Sequence, residues 1–355
     1  MNQIEISSII FVKLDHIGDM ILTTPVFRAV KERFPQCSLG VMCSSKGKLI
    51  IENNPFVDDI YIYNPDMFDR ANENNVYTKM HDFLSVLEVR KKKYDVCVSL
   101  REDHNNAVIQ KMLGAKYNIS FSTDSPYPEV FDYSVPNPGG MHVALKNFEL
   151  LKLIDVLRPH QIKAEMFTTD EDEKWADEFL RENGVSASDT VVAISPGGGW
   201  FLNWWPWQNY AKLCNMLLEY DEKIKIVLVG GAAEREVVDK IKAANCCKVI
   251  DSCGKTTLQQ LSALYKRTCL VVCNDGGTMH VASTAGVPMV ALFGPSPSWF
   301  YPLGEDNVII NKGFACSPCP QFQAGEKPKC LNNKCMKSIS VKEVYRAAVQ
   351  ILSDK

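Results

Sequence analysis

The sequence has no apolar run approaching the ~18 residues that a membrane-crossing helix needs, which argues against a transmembrane segment. It has no marked excess of one charge. Its 39 Lys and Arg stand against 42 Asp and Glu, and a net charge of −3 gives no global field of the kind that marks a nucleic-acid binder. The first residues, MNQIEISSIIFVKLD, lack the basic start and small-residue cleavage site of a signal peptide and read as a first strand. No solenoid-type repeat and no low-complexity tract is visible. What remains is an ordinary globular composition, 46% hydrophobic and 23% charged. At 355 residues it exceeds one ordinary core and suits two α/β domains of roughly 150 to 200 residues.

Cysteine, by contrast, is plentiful at thirteen residues. Nine (Cys37, Cys43, Cys97, Cys214, Cys246, Cys247, Cys253, Cys269 and Cys273) are scattered through apparent strands and helices. Reduced thiols of this kind behave as small hydrophobes and point to a reducing, cytoplasmic setting. The other four, Cys316, Cys319, Cys330 and Cys335, form C-x2-C-x10-C-x4-C. The close pairs suit tetrahedral thiolate coordination of a structural zinc or iron, with turns at Pro318, Pro320, Gly325 and Pro328. Free thiols or disulfides formed in air are the alternatives. A four-thiolate site has no open position, so no catalytic metal is expected here.

Short apolar runs alternate with amphipathic stretches, the pattern of βαβ units and parallel sheets. Strands are predicted at 8–13, 38–43, 59–63 and 95–100, with helices at 20–34 and 81–93. Residues 120–141 are rich in Pro, Ser, Asp and Gly and read as a loop before a helix at 142–156. A boundary at 157–171 gives domains 1–160 and 161–340. In the second, strands fall at 190–195, 225–229, 248–250, 269–273 and 289–293. Its helices fall at 171–183, 207–220, 233–244, 258–266 and 278–285. A last helix, within 341–355, is expected to return to the first domain.

Three strand-to-helix turns carry chemistry. Asn274-Asp275-Gly276-Gly277-Thr278-Met279-His280 follows a buried strand and opens a helix, whose unpaired N–H groups and positive dipole end offer a seat for a diphosphate. Asp275 repels phosphate unless it meets hydroxyls, and its plainer role is a cap. Ser195-Pro196-Gly197-Gly198-Gly199 is either a backbone curl around a ligand or a flexible loop. The aromatics after it (Trp200, Phe201, Trp204, Trp205, Trp207) suit core or cleft wall equally. In Asp15-His16-Ile17-Gly18-Asp19, each carboxylate is either an N-cap or a general base, ionised at neutral pH with an ordinary pKa of about 3.9.

These segments, with Lys13-Leu14 before the first turn, Thr23-Thr24-Pro25, Gly254-Lys255-Thr256-Thr257-Leu258 and Phe293-Gly294-Pro295-Ser296, resemble glycosyltransferase family 9 over nearly the whole chain. The resemblance implies a GT-B α/β fold of two facing Rossmann-like domains, acceptor on the first and nucleotide-sugar donor on the second. It also implies inverting, metal-independent transfer, with ADP-heptose the favoured donor and a lipopolysaccharide-type glycolipid or a protein side chain as acceptor. Asp19 then becomes the general base, with Lys13, Gly18 and Asn203 among the substrate-binding residues. Ser195, Gly197, Gly198, Lys255, Thr256, Thr257, Asp275, Gly276, Gly277 and Thr278 become donor contacts. Glu234 is placed for ribose hydroxyls, and His280 is a donor ligand or a structural histidine. Relatives with a similar four-cysteine insertion support a structural metal.

One position departs from the family. Heptosyltransferases usually carry lysine two residues before the Trp-Pro of the second-domain loop, where this chain has Asn203. Either Lys13 or Lys255 compensates, or the donor is a different nucleotide sugar. A silent GT-B scaffold is the rival from another class, and a GT-B epimerase a further one. Arg90-Lys91-Lys92-Lys93 suits a solvated helix end or an anionic acceptor, and Arg101, Asp103 and His104 follow a strand toward the acceptor side. Peripheral association with the inner membrane face fits a glycolipid acceptor, and nucleic acid is not an expected partner. Oligomeric state is left open.

Overall fold

Segments apolar on both faces make the central strands. In the first, Ile9, Ile10, Phe11 and Val12 have no exposed surface, as expected for the interior of a parallel sheet. The computed structural model describes residues 5–64, 76–101, 104–122, 128–244, 248–319, 330 and 332–354. The side chains at 76–78 and 104 lie outside that set, as do Asp103, Cys246, Cys247, Pro320, Gly325 and Pro328. The chain divides into two compact units, Met1–Phe167 and Thr168–Lys355, a break that falls within the stretch 157–171.

The first unit contains β1 (Ser8–Lys13), α1 (Ile17–Ile21), α2 (Thr24–Arg33), β2 (Ser38–Cys43), α3 (Ser45–Ile51), β3 (Asp59–Ile62) and α4 (Val76–Lys92). It continues with β4 (Val96–Ser99), α5 (His104–Leu113), β5 (Tyr117–Phe121), β6 (Tyr133–Val135) and α6 (Val143–Leu151). The second unit contains α7 (Asp170–Glu182), β7 (Thr190–Ser195), α8 (Trp207–Tyr220), β8 (Ile224–Leu228), α9 (Arg235–Ala244) and β9 (Ile250–Asp251). It goes on with α10 (Leu258–Tyr265), β10 (Leu270–Asn274), α11 (Gly277–Ala285), β11 (Met289–Phe293) and β12 (Val308–Asn311), and ends in a C-terminal helix, Val341–Ser353.

Each unit holds one six-stranded sheet, ordered β3-β2-β1-β4-β5-β6 and β12-β11-β10-β7-β8-β9. Pairing is parallel throughout, with Val12 opposite Met42 and Ser99, and Cys273 opposite Ala291 and Ser195. Both are the doubly wound Rossmann order. Their strand order reverses between β1 and β4 and between β7 and β10, and such reversals leave a crevice outside the carboxyl ends of the strands.

Several elements differ from the sequence reading. The helix predicted at 20–34 is two, α1 and α2, broken at Leu22 and Thr23. The Thr24 hydroxyl donates to the Ile21 carbonyl (2.8 Å) and accepts from Glu165 N (2.8 Å), which fixes the break. The loop predicted at 120–141 contains β6 and the end of β5. The C-terminal helix sets its apolar face into the core of the second unit, where Val344 and Ala348 are buried with Trp205, Tyr210 and Leu213.

Candidate functional site

In the first unit, β1 delivers Lys13, Asp15 and Asp19 to the β1/β4 reversal. Lys13 is buried, with Nζ 2.7 Å from Asp15 Oδ2 and 3.9 Å from Asp19 Oδ1. The other oxygen of Asp15 accepts from the guanidinium of Arg101, which lies just past β4. Burial would raise the Asp15 carboxyl, but Lys13 and Arg101 outweigh it and hold it down to about 2. Asp19 behaves oppositely. Burial raises it above the usual carboxylate value, Lys13 opposes that rise, and the charge of Asp15 adds to it. Lys13 stays charged because its two acidic neighbours outweigh burial.

Neither acid is an N-cap. The cap position of α1 is His16, which makes no side-chain cap bond, while Asp19 lies within the first turn beside Gly18. Thr23 holds that turn from behind, donating to the Asp19 carbonyl at 2.8 Å and accepting from Asn147. Arg101, read as facing the acceptor, pairs with Asp15. The basic run ends α4, with Arg90 donating to the Met112 carbonyl and Lys92 paired with Asp59.

In the second unit, the β7 and β10 turns meet at the other reversal. Ser195 and Thr278 hydroxyls hydrogen-bond at 2.9 Å. A side chain at Gly197 would overlap the methylenes of Glu234 at 1.9 Å, and one at Gly198 (φ +149°) would approach the Asp275 carbonyl at 3.1 Å. Both positions therefore need glycine. Glu234 accepts from Gly231 N at 2.8 Å, so its carboxylate lies between the turns after β7 and β8. α11 starts at Gly277 with no side-chain cap, leaving its first N–H groups to a ligand or water. His280 is buried on this helix.

Asp275 is not a cap. Its Oδ2 accepts from Asn203 Nδ2 at 2.9 Å and from the Ser296 hydroxyl. Asn203, at the usual lysine position, is thus a buried support for this carboxylate. Two other residues read as donor contacts have partners within their own turns. The Thr257 hydroxyl caps α10 in a reciprocal box with Gln260, and Lys255 Nζ donates to the Asp251 carbonyl of its own turn. Thr256 lies between them, partly buried.

Sequence reasoning missed Asn274 as an organiser. Its amide donates to the Pro196 and Gly197 carbonyls (2.8 and 3.0 Å) and accepts from Trp205 N and Tyr210 Oη. Its place at the last residue of a fully buried strand was the available signal. The tryptophans separate by role. Trp205 is core, packed edge-on to Tyr210 at 4.8 Å and donating to the Ile339 carbonyl, while the Trp204 indole donates to Gly198 O at 2.9 Å.

Cys316, Cys319, Cys330 and Cys335 line one cavity of about 270 Å3 with Leu202, Pro295 and Phe314. None is in a disulfide. Burial, with the other three thiols nearby, pushes Cys319 up to about 11. Four soft sulfurs around one cavity suit zinc or iron. Among the described residues, however, no group of three His, Cys, Asp or Glu side chains is placed to hold a metal ion.

The family model for glycosyltransferase family 9 (heptosyltransferase) matches residues 86–330, well over half the chain. The chain belongs to glycosyltransferase family 9. It is 22% identical to lipopolysaccharide heptosyltransferase 3 of Escherichia coli, over 95% of this chain and 96% of that one. A family 9 glycosyl transferase from Veillonella parvula superposes with a TM-score of 0.86 at 21% identity, covering 99% of both chains. The E. coli ADP-heptose LPS heptosyltransferase II gives 0.74 at 18%, covering 98% and 99%. The iron-containing dodecameric glycosyltransferase TibC from enterotoxigenic E. coli gives 0.56 at 12%, covering 99% of this chain and 77% of that one. The fold is GT-B, and the protein is a heptosyltransferase-like glycosyltransferase.

No described helix is long and apolar enough to cross a membrane.

Proposed function

We propose that this enzyme transfers heptose from ADP-heptose, with inversion, to a hydroxyl of a lipopolysaccharide-type glycolipid at the cytoplasmic face of the membrane. Asp19 accepts the proton of the acceptor hydroxyl as its oxygen bonds to the anomeric carbon. The bond from that carbon to the diphosphate breaks, and ADP leaves with the electron pair. Gly276, Gly277 and Thr278, at the uncapped start of α11, hold the diphosphate. Asp275 meets sugar hydroxyls and Glu234 the ribose. No step is assigned to a metal.

One observation carries this reading: the Asp19 turn and the two glycine turns each occupy a strand-order reversal of their own sheet. The raised pKa of Asp19 supports its use as a base. The four cysteines are assigned to a structural zinc or iron, supported by their shared cavity.

A different nucleotide-sugar donor is the second reading, and Asn203 favours it. The amide there is engaged with Asp275 and brings no positive charge to a diphosphate. A ligand screen separates these readings. ADP, UDP, GDP and CMP are added at about 100 times their dissociation constants, where a true ligand adds ~2.7 kcal/mol of stability. Selective stabilisation by ADP is expected. A response to none would favour a silent scaffold. Asp19→Asn is expected to keep nucleotide binding and lose turnover by about 100-fold or more, and normal turnover would remove Asp19 from the mechanism.

A further inference from the structure

Helix α4 carries two stripes on opposite faces, and among the described residues only one of them is buried. Asp82, Ser85, Val86 and Val89 recur at i, i+3, i+4 and i+7 and are buried against the first unit. Met80, Phe83, Leu84 and Leu87 recur at the same spacing, two residues earlier. A two-residue offset turns about 200° around a helix, so this second stripe faces away from the core. Its side chains are 54, 55, 54 and 37% exposed. The neighbouring α5 adds exposed Val108 and Met112, and the bond from Arg90 to the Met112 carbonyl places the two helix ends side by side.

The charge around this stripe is mostly positive. Lys79, Arg90, Lys91, Lys92 and Lys93 are exposed, and Lys111 is exposed on α5. Among exposed residues 79–93 the only acid is Glu88. This is opposite in sign to the chain as a whole, at −3. Lys91 continues the apolar stripe, one turn beyond Leu87. An apolar strip with Phe and Leu along its centre and cations at its edge and end matches the boundary between lipid headgroups and acyl chains.

We propose that the outer face of α4, with the exposed edge of α5, docks this enzyme on an anionic lipid surface. A second copy of the chain fits this face poorly. Two-fold pairing would set each patch against its twin and bring the two sets of cations together. Anionic lipid supplies both missing complements, apolar chains for the stripe and phosphates for the lysines. The inference deepens the glycolipid reading, since it names the surface that brings the protein to such an acceptor.

The test is flotation of the full chain with vesicles of phosphatidylcholine alone or with one third phosphatidylglycerol. Binding to the anionic vesicles is expected, with release in high salt and little binding to neutral ones. Phe83→Ser with Leu84→Ser should lower binding at least tenfold, and Lys91→Gln should lower it about fivefold. Thermal unfolding and nucleotide stabilisation should stay unchanged, because these side chains face away from the core. Unimpaired flotation of the double variant overturns the proposal, as does absence of wild-type binding. So does a dimer in light scattering that the double variant converts to monomer. No sugar nucleotide enters the flotation assay, so its outcome is independent of the transferase reading.

Discussion

Asn203 donates its side-chain amide to Asp275 Oδ2 at 2.9 Å, from a position where family relatives usually carry lysine. The Ser296 hydroxyl reaches the same oxygen. Two uncharged donors thus hold this carboxylate oxygen in place at the turn between β10 and α11.

Asn203→Ala should weaken this hold. Loss of one hydrogen bond to a charged, partly buried group costs about 1.5–3 kcal/mol, a 10- to 150-fold loss in kcat/KM. If Asp275 recognises sugar hydroxyls, ADP alone should bind almost as before. Titration calorimetry with ADP, beside steady-state kinetics with the sugar nucleotide, checks this.

Asp15→Asn should separate the two acids of the first unit. Lys13, released from its 2.7 Å partner, becomes free to approach Asp19, and the repelling charge of Asp15 disappears. Both changes lower the Asp19 pKa. The acid limb of kcat/KM should move to lower pH and its plateau should fall, because a weaker base takes the proton.

The same variant tests linkage. The folded-state Asp15 carboxyl is held at about 2, against a usual 3.8, so its stabilisation is complete above about pH 4 and fades as pH falls toward 2. The part of the stability gap that comes from the Asp15 carboxylate should therefore be constant above pH 4 and shrink below it, while the raised Asp19 of the wild type adds a separate change above pH 4. Breaking a buried pair costs about 3–5 kcal/mol; the lower end applies here, because Arg101 keeps 37% of its side-chain surface. Urea titrations at several pH values measure this gap.

Gly197→Ala and Gly199→Ala form a matched pair. The added methyl at 197 meets Glu234 at 1.9 Å, whereas at 199 nothing lies within 4 Å. The first should cost about 1–3 kcal/mol of overpacking, move Glu234 and weaken ADP binding, and the second should be nearly silent. Equal behaviour of the two would remove Glu234 from the nucleotide site.

The buried centre of each sheet was legible in the sequence. β1, β2, β7 and β11 match the predicted spans, because uninterrupted apolar runs mark strands covered on both faces. β5, β6 and β12 were missed. Each has partly exposed or polar residues, such as Tyr117, Asn118 and Asn311, and therefore no clear period. Asp19 and the glycine turns could be singled out by their local pattern. The Asp15–Arg101 pair could not, since its partners are 86 residues apart and meet only because β1 lies beside β4. Asn203 was visible as a departure, but its partner Asp275 is 72 residues away.

The cysteine cavity makes its own prediction. Metal analysis of protein purified without chelator should return close to one zinc or iron per chain. Cys316→Ser with Cys330→Ser should abolish it and lower thermal stability, while nucleotide binding persists. Metal-free protein with four titratable thiols at these positions would exclude the assignment.

The indole of Trp205 reaches the Ile339 carbonyl at 2.9 Å, and Asn333 donates to the carbonyls of Leu202 and Trp204. The segment carrying Asn203 is thus stapled on both sides to the tail of the chain. Proteolytic clipping ahead of Ile339 would therefore blunt recognition of the sugar nucleotide as well as loosen the second core, although no tail residue need touch that ligand.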